Sequence, residues 1–181
     1  MDRPPLVVDL DGTILLDDTL AVMARRMVAD SPHRLGAAGI QLLRGRQRLK
    51  YYLWERHPLG PDDVRWNHPL VERLESEASA GRHIVLATGA PTPLANRMAE
   101  AVPAIADVMA TTPNVNLTAH RKAAALVHRF GWRGFEYAGN SRADLAVWSA
   151  SAGAWVCTAS HALVTEAAHC TEIREVFLHA A

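Results

Sequence analysis

The stretch VVDLDGTILL, residues 7–16, ends an apolar run with two carboxylates, Asp9 and Asp11. A buried carboxylate without a partner is costly, so an extended segment that only had to pack would carry neither. Side chains two apart on extended backbone point the same way. Asp9 and Asp11 therefore face one space while Leu10 turns to the core, and Gly12 lets the chain bend away. Such a pair suits a divalent cation, whose charge offsets their repulsion. It also suits plain capping of a turn, because Asp-Gly often marks one.

Compatible groups recur down the chain. Thr88 and Gly89 follow the apolar run of IVLATGAP. Gly139, Asn140 and Ser141 follow FEYA, with Asp144 opening the next helix. Lys122, in TAHRKAAALV, begins a helix whose N-terminus itself favours an anion. Singly, each has an ordinary explanation: Thr88 as a turn residue, Asp144 as a first-turn helix acid, Lys122 as a solvated surface charge. Together they comprise a nucleophile, an acid/base, oxygen ligands for a metal, a hydroxyl and a cation.

These residues need elements to position them. LVVDL (6–10), HIVLA (83–87), FEYA (135–138) and AWVC (154–157) are short apolar runs, each followed by a turn signal and a helical pattern. DVMA (107–110) and EVFL (175–178) are further short candidates. This order predicts an α/β fold, a doubly wound, Rossmann-like parallel sheet with helices on both faces, and in such sheets ligands sit beyond the carboxyl ends of the strands. Residues 17–66 break the alternation. There DDTLAVMARRMVAD and RLGAAGIQLLRGRQRLKYYLWER read as consecutive helices with no strand between them, a helical cap inserted after the first strand. The core domain is then 1–16 and 67–181, with 17–66 as the cap.

Composition limits the function classes. The 181 residues and 49% hydrophobic content belong to an ordinary globular chain. Nineteen basic residues balance nineteen acidic ones, so no global field draws nucleic acid, and no nucleic-acid partner is expected. The N-terminus does not read as a signal peptide and no run reaches the length of a membrane span, which predicts a cytoplasmic location. Cys157 and Cys170 lack metal-ligand spacing and read as small buried thiols. Met23, Met27 and Leu20, at helical spacing, read as core. Arg44, Arg46, Arg48 and Lys50 form a basic run beside Tyr51, Tyr52 and Trp54. That run suits an additional anionic group or a membrane surface, or else it is a solvated face whose aromatic residues pack inward.

DLDGT, LATG, Lys122 before an apolar helix, and GNSRAD occur in the order of the four motifs of the haloacid dehalogenase superfamily, which the chain resembles over essentially its whole length. The long separation between the first two motifs is similar to the subgroup with an inserted helical cap. LLRGRQRLK, RKAAALVHRFG and YAGNSRADLAVW further resemble the soluble domain fused, in some bacterial proteins, to a membrane prenyltransferase. The resemblance implies a phosphohydrolase acting on a phosphate monoester, a small metabolite or a lipid-linked phosphate, through an aspartyl-phosphate. It implies Asp9 as nucleophile, Asp11 as general acid and base, and Thr88, Gly89 and Lys122 as phosphate-binding groups. Mg²⁺ would be held by Asp9, Asp11, Asn140 and Asp144. Asn140 stands where the family usually has Asp, which implies a weaker hold on the ion. Two alternatives are a phosphotransferase or mutase, and a weakly catalytic or non-catalytic partner of a membrane prenyltransferase. A receiver-type signalling domain would need neither Asp11 in this register nor the cap.

Overall fold

The computed structural model describes residues 3–178. Six parallel strands form one sheet: β1 (Leu6–Val8), β2 (Ile84–Pro91), β3 (Asp107–Thr111), β4 (Glu136–Gly139), β5 (Gly153–Cys157) and β6 (Ile173–Phe177). Their order is β3-β2-β1-β4-β5-β6, with β1 at the centre where the order reverses. Strands at the centre are buried on both faces, which is why LVV and GAWVC read as unbroken apolar runs rather than alternations. Every run expected to be a strand is one, including the two short candidates.

The helices α1 (Thr19–Asp30), α2 (Leu35–Leu43), α3 (Arg46–Arg56), α4 (His68–Ser79), α5 (Thr92–Ala99), α6 (Ala119–Phe130), α7 (Leu145–Trp148) and α8 (His161–Ala168) complete the fold. One apolar cluster lies on the sheet face of Leu6, Val8, Ile84 and Leu86, and the other on the face of Val7, Val85, Tyr137 and Val156. The sheet is thus covered on both sides, as the alternating pattern requires.

Among the described residues, the insertion after β1 is helical. The chain leaves the sheet through Gly12 at φ 70°, a left-handed turn conformation that side chains disfavour. It returns where Leu16 N–H donates to Arg65 O at 2.8 Å and Asn67 N–H to Ile14 O at 2.8 Å. The second of the two expected cap helices is in fact a pair, α2 and α3, divided at Gly45 with φ 130°. Met23 and Met27 are buried, as expected. They share one cluster with Leu53, Leu59 and the sheet residues Leu6 and Leu86, so cap and sheet bury a continuous core. No helix among the described residues is long and apolar enough to cross a membrane.

A buried ionic cluster closes the amino ends of the strands. Arg82 donates to Glu77 at 3.1 Å and to Glu136 at 2.7 Å, and Trp155 Nε1 donates to Glu136 at 2.8 Å. Burial alone would raise both glutamates, but the Arg82 guanidinium and its neighbours hold them below the usual carboxylate range.

Candidate active site

Register builds the site. Val7 pairs with Val85 on one side and with Tyr137 on the other, so Asp9, two residues past Val7, leaves the sheet on the face of Tyr137. Asp9 N–H donates to Ala138 O at 3.0 Å, which carries the strand pairing up to the first carboxylate. A cavity of about 300 Å³ at the carboxyl ends of β1, β2 and β4 is lined by Asp9, Asp11, Gly89, Lys122, Asn140 and Asp144. Six of the seven residues singled out from the sequence thus share one space. The seventh, Thr88, is fully buried and is not among the lining residues; its Oγ1 accepts from Ala90 N–H at 3.0 Å.

The catalytic candidates are linked by a chain of short polar contacts. Lys122 Nζ lies 2.9 Å from Asp9 Oδ1 and donates to the Tyr137 hydroxyl at 2.8 Å. Tyr137 in turn donates to Asp144 Oδ1 at 2.8 Å. Lys122, Tyr137 and Asp144 are buried and Asp9 is partly so, which makes Lys122 no solvated surface charge but the cation between two acids. Burial pushes Asp9 up to about 6, and the nearby Lys122 ammonium only partly offsets it. Burial likewise raises Asp11, against the stabilising N–H of Thr19, which donates to Asp11 Oδ1 at 2.8 Å. Tyr137 is driven well above its ordinary value by burial and by Asp144, and stays a protonated donor.

Asp144 is occupied from several sides. Oδ1 takes the tyrosine hydroxyl, and Oδ2 accepts from Asn140 N–H at 3.1 Å, Ser141 N–H at 3.0 Å and Ser141 Oγ at 3.0 Å. The expected first-turn acid is therefore also the post that shapes the loop carrying Asn140. Gly139 makes this possible, since a Cβ there would lie 2.7 Å from Asp144 Cγ and 2.8 Å from the Tyr137 ring. The Asn140 side chain lies against Gly12, and Thr13 Oγ1 donates to its Oδ1 at 3.4 Å.

The donors fit a hard cation in chemistry, because Asp9, Asp11, Asn140 and Asp144 present oxygen alone. Asp9 Oδ1 is held by Lys122 and by Leu10 N–H at 2.8 Å, whereas Oδ2 makes no hydrogen bond among the described residues. One carboxylate oxygen and an incompletely offset charge thus remain for a ligand. Among the described residues no three His, Cys, Asp or Glu side chains cluster closely enough to hold a metal by themselves. The set that lines the cavity is mixed, with the Asn140 amide oxygen among the carboxylates of Asp9, Asp11 and Asp144.

Tyr137 escaped the sequence reading, which marks Lys50 only as one cation of the cap's basic run. Tyr137 sits inside an apolar strand run, where nothing distinguishes its hydroxyl from that of a core tyrosine. Lys50 belongs to the basic run of the cap, but the run does not share one environment. Arg44, Arg46 and Arg48 are exposed, while Lys50 is buried, lines the cavity and donates from Nζ to Gly89 O at 2.5 Å. Burial lowers Lys50, with Asp11 opposing that shift. The cap tyrosines are half-buried, and Tyr51 anchors to the end of β3 by donating to Thr111 O at 3.0 Å. Cys157 is buried and Cys170 only half-buried; both are free.

Comparison with known proteins follows the same lines. The family model of the haloacid dehalogenase-like hydrolases matches residues 6–149. The uncharacterized protein y4nM of Sinorhizobium fredii is 30% identical over 150 residues, 83% of this chain and 29% of that protein. The chain therefore spans less than a third of that relative. Among solved structures, a Bordetella pertussis Tohama I protein of unknown function superposes with a TM-score of 0.68 at 15% identity, covering 96% of this chain and 99% of that one. A phosphoserine phosphatase, solved as a phospho-aspartyl intermediate analogue, gives 0.64 at 12% identity over 98% and 94% of the two chains. The cobalt-bound deoxy-D-mannose-octulosonate 8-phosphate phosphatase of Haemophilus influenzae gives 0.54 at 11% identity over 97% and 77%. These likenesses show a shared fold, and the match from β1 to the end of α7, across every lining residue of the cavity, makes the chain a member of the haloacid dehalogenase-like hydrolase family.

Proposed function

We propose that the protein is a Mg²⁺-dependent phosphohydrolase that cleaves phosphate monoesters through an aspartyl-phosphate on Asp9. The observation that carries this reading is the pairing of Asp9, partly open to the cavity, with the buried Lys122 at 2.9 Å, in a cavity that also holds Asp11. Phosphatases among the structural neighbours support it, one of them solved with a phospho-aspartyl analogue and another with a bound divalent metal.

Asp9 Oδ2 attacks phosphorus and the bond to the leaving oxygen breaks, while Oδ1 stays held by Lys122 and Leu10 N–H. Asp11, whose raised pKa favours the protonated form, gives its proton to the leaving oxygen. A water molecule then attacks the phosphoryl group, Asp11 takes its proton back, and the Asp9 carboxylate is released with inorganic phosphate. Lys122 offsets the charge that spreads over the phosphoryl oxygens, and the Tyr137 contact fixes where its ammonium stands. Mg²⁺, held by Asp9, Asn140 and main-chain oxygens beside Asp144, would supply the positive charge that lets an anionic carboxylate approach an anionic ester. A cavity of about 300 Å³ admits a phosphoryl group with a short stretch of leaving group. It suits a small phosphorylated metabolite, or the head of a lipid-linked phosphate whose tail remains outside.

The test is a panel of phosphate esters, small metabolites and prenyl phosphates among them, assayed for phosphate release with and without Mg²⁺. The expected result is Mg²⁺-dependent release that Asp9→Asn removes, with Asp11→Asn accumulating phosphate covalently on the chain. Release that survives Asp9→Asn would overturn the reading, and transfer to an added alcohol instead of water would make the protein a phosphotransferase.

A further inference from the structure

Helix α2, LGAAGIQLL, carries no charge, and Ala38 is its one buried residue. Ile40 is 51% exposed and Leu43 88%, with Leu35 and Leu42 close to half exposed. At about 100° per residue, Leu42, Leu35, Leu43 and Ile40 follow one another around an arc of about 160°. They form one continuous apolar face, which a chain folding for itself alone has no reason to leave in water. Gly36 and Gly39 lie on the same arc. A Cβ at either would meet nothing within 4 Å, so no packing inside the chain keeps these positions small.

The rim of this face is cationic. Arg34 immediately precedes α2, Arg44 immediately follows it, and Arg46 and Arg48 continue the series, with no acidic residue from 34 to 48. All four arginines are exposed, and none makes an ion pair among the described residues, whereas Arg26 and Arg65 nearby are each paired with an aspartate. The chain as a whole is neutral, so residues 34–48 concentrate positive charge on either side of this bare apolar helix.

We propose that α2 is a docking face for an anionic lipid bilayer. The leucine and isoleucine side chains enter the boundary between headgroups and acyl chains, and the flanking guanidiniums reach lipid phosphates. A second copy of this chain is the poorer match, because it would set one arginine rim against another. The two glycines leave the helix backbone free to lie close to the surface. The proposal does not rest on the catalytic reading, and its test measures binding rather than turnover.

The experiment is co-sedimentation of the full chain with vesicles of phosphatidylcholine alone and with vesicles containing about 30% phosphatidylglycerol. Binding to the anionic vesicles is expected to be at least about tenfold tighter and to weaken as salt is added. Ile40→Glu with Leu43→Glu should lower it by about tenfold or more, and Arg44→Gln with Arg46→Gln and Arg48→Gln should do the same. Both sets of positions are exposed, so melting temperature and phosphate release from a small soluble ester should stay at the wild-type value. No sedimentation with either vesicle, or undiminished binding by both variants, would overturn the proposal. A concentration-dependent dimer abolished by the glutamate variant, without vesicle binding, would also overturn it and assign the face to a second copy.

Discussion

Tyr137→Phe removes a single oxygen atom that lies between Lys122 Nζ and Asp144 Oδ1, 2.8 Å from each. The phenyl ring keeps its edge contact with Trp148, at 6.5 Å between centroids, so packing is almost unchanged. A hydrogen bond to a charged partner is worth about 1.5–3 kcal/mol. The two lost here do not add in full, because Lys122 keeps Asp9 and Asp144 Oδ2 keeps three donors. A net loss of about 2 kcal/mol follows, which for a chain of this size lowers the melting temperature by about 4–8 °C. Catalysis should suffer more than stability implies. With one of its two anchors gone, the Lys122 ammonium drifts from the position it holds against Asp9, and displacements near 1 Å cost up to about a hundredfold in rate. The assays are urea and thermal unfolding for the first effect, and steady-state phosphate release for the second, read as a fall in kcat of about ten- to a hundredfold. A melting temperature within about 1 °C of wild type, together with kcat within about twofold, would refute the view that the hydroxyl positions both the cation and the acid.

Four further outcomes are expected. Asp9→Asn should lower turnover by more than about a thousandfold while circular dichroism stays native, since the amide keeps the shape of the carboxylate but cannot act as the nucleophile. Asn140→Asp should lower the Mg²⁺ concentration for half-maximal activity by about tenfold, by adding a carboxylate beside Asp9; an unchanged Mg²⁺ titration would place Asn140 outside the ion's reach. At the other end of the sheet, Glu77 and Glu136 have folded pKa values below their ordinary 4.5, so their contribution is complete above that pH and is lost as pH falls through the lower folded values. Unfolding followed against pH should show this acid-side loss. Arg82→Gln, which leaves both glutamates short of their main partner, should cost about 3–5 kcal/mol at neutral pH without moving the Mg²⁺ dependence of turnover.

The sequence by itself determined the strands and the direction in which they run. Apolar runs buried on both faces alternate with helical patterns, and only a parallel sheet with helices on each side accommodates that order. It also placed Asp9, Asp11, Gly89, Asn140 and Asp144 at strand exits, because a turn immediately follows each run and the carboxyl ends of parallel strands meet on one side. Lys122 could be marked by its place at a helix start, but its burial could not. What covers a surface lysine is decided by elements distant in the chain, here Tyr137 and Asp9.

Tertiary structure alone separated Lys50 from Arg44, Arg46 and Arg48. In sequence the four are equivalent cations in the middle of one helical pattern. Arg44 caps the end of α2 and Arg46 and Arg48 open α3 in water, whereas Lys50, a turn further along α3, enters the cavity against Gly89. Tyr137 is the same case on a strand. Alternation says that Tyr137 and Gly139 share a face, yet only the pairing of Val7 with Tyr137 says that this face is the one Asp9 enters. Local pattern is set by neighbours within a turn or two of chain, whereas the partner of a buried polar atom is set by register and packing between separate segments.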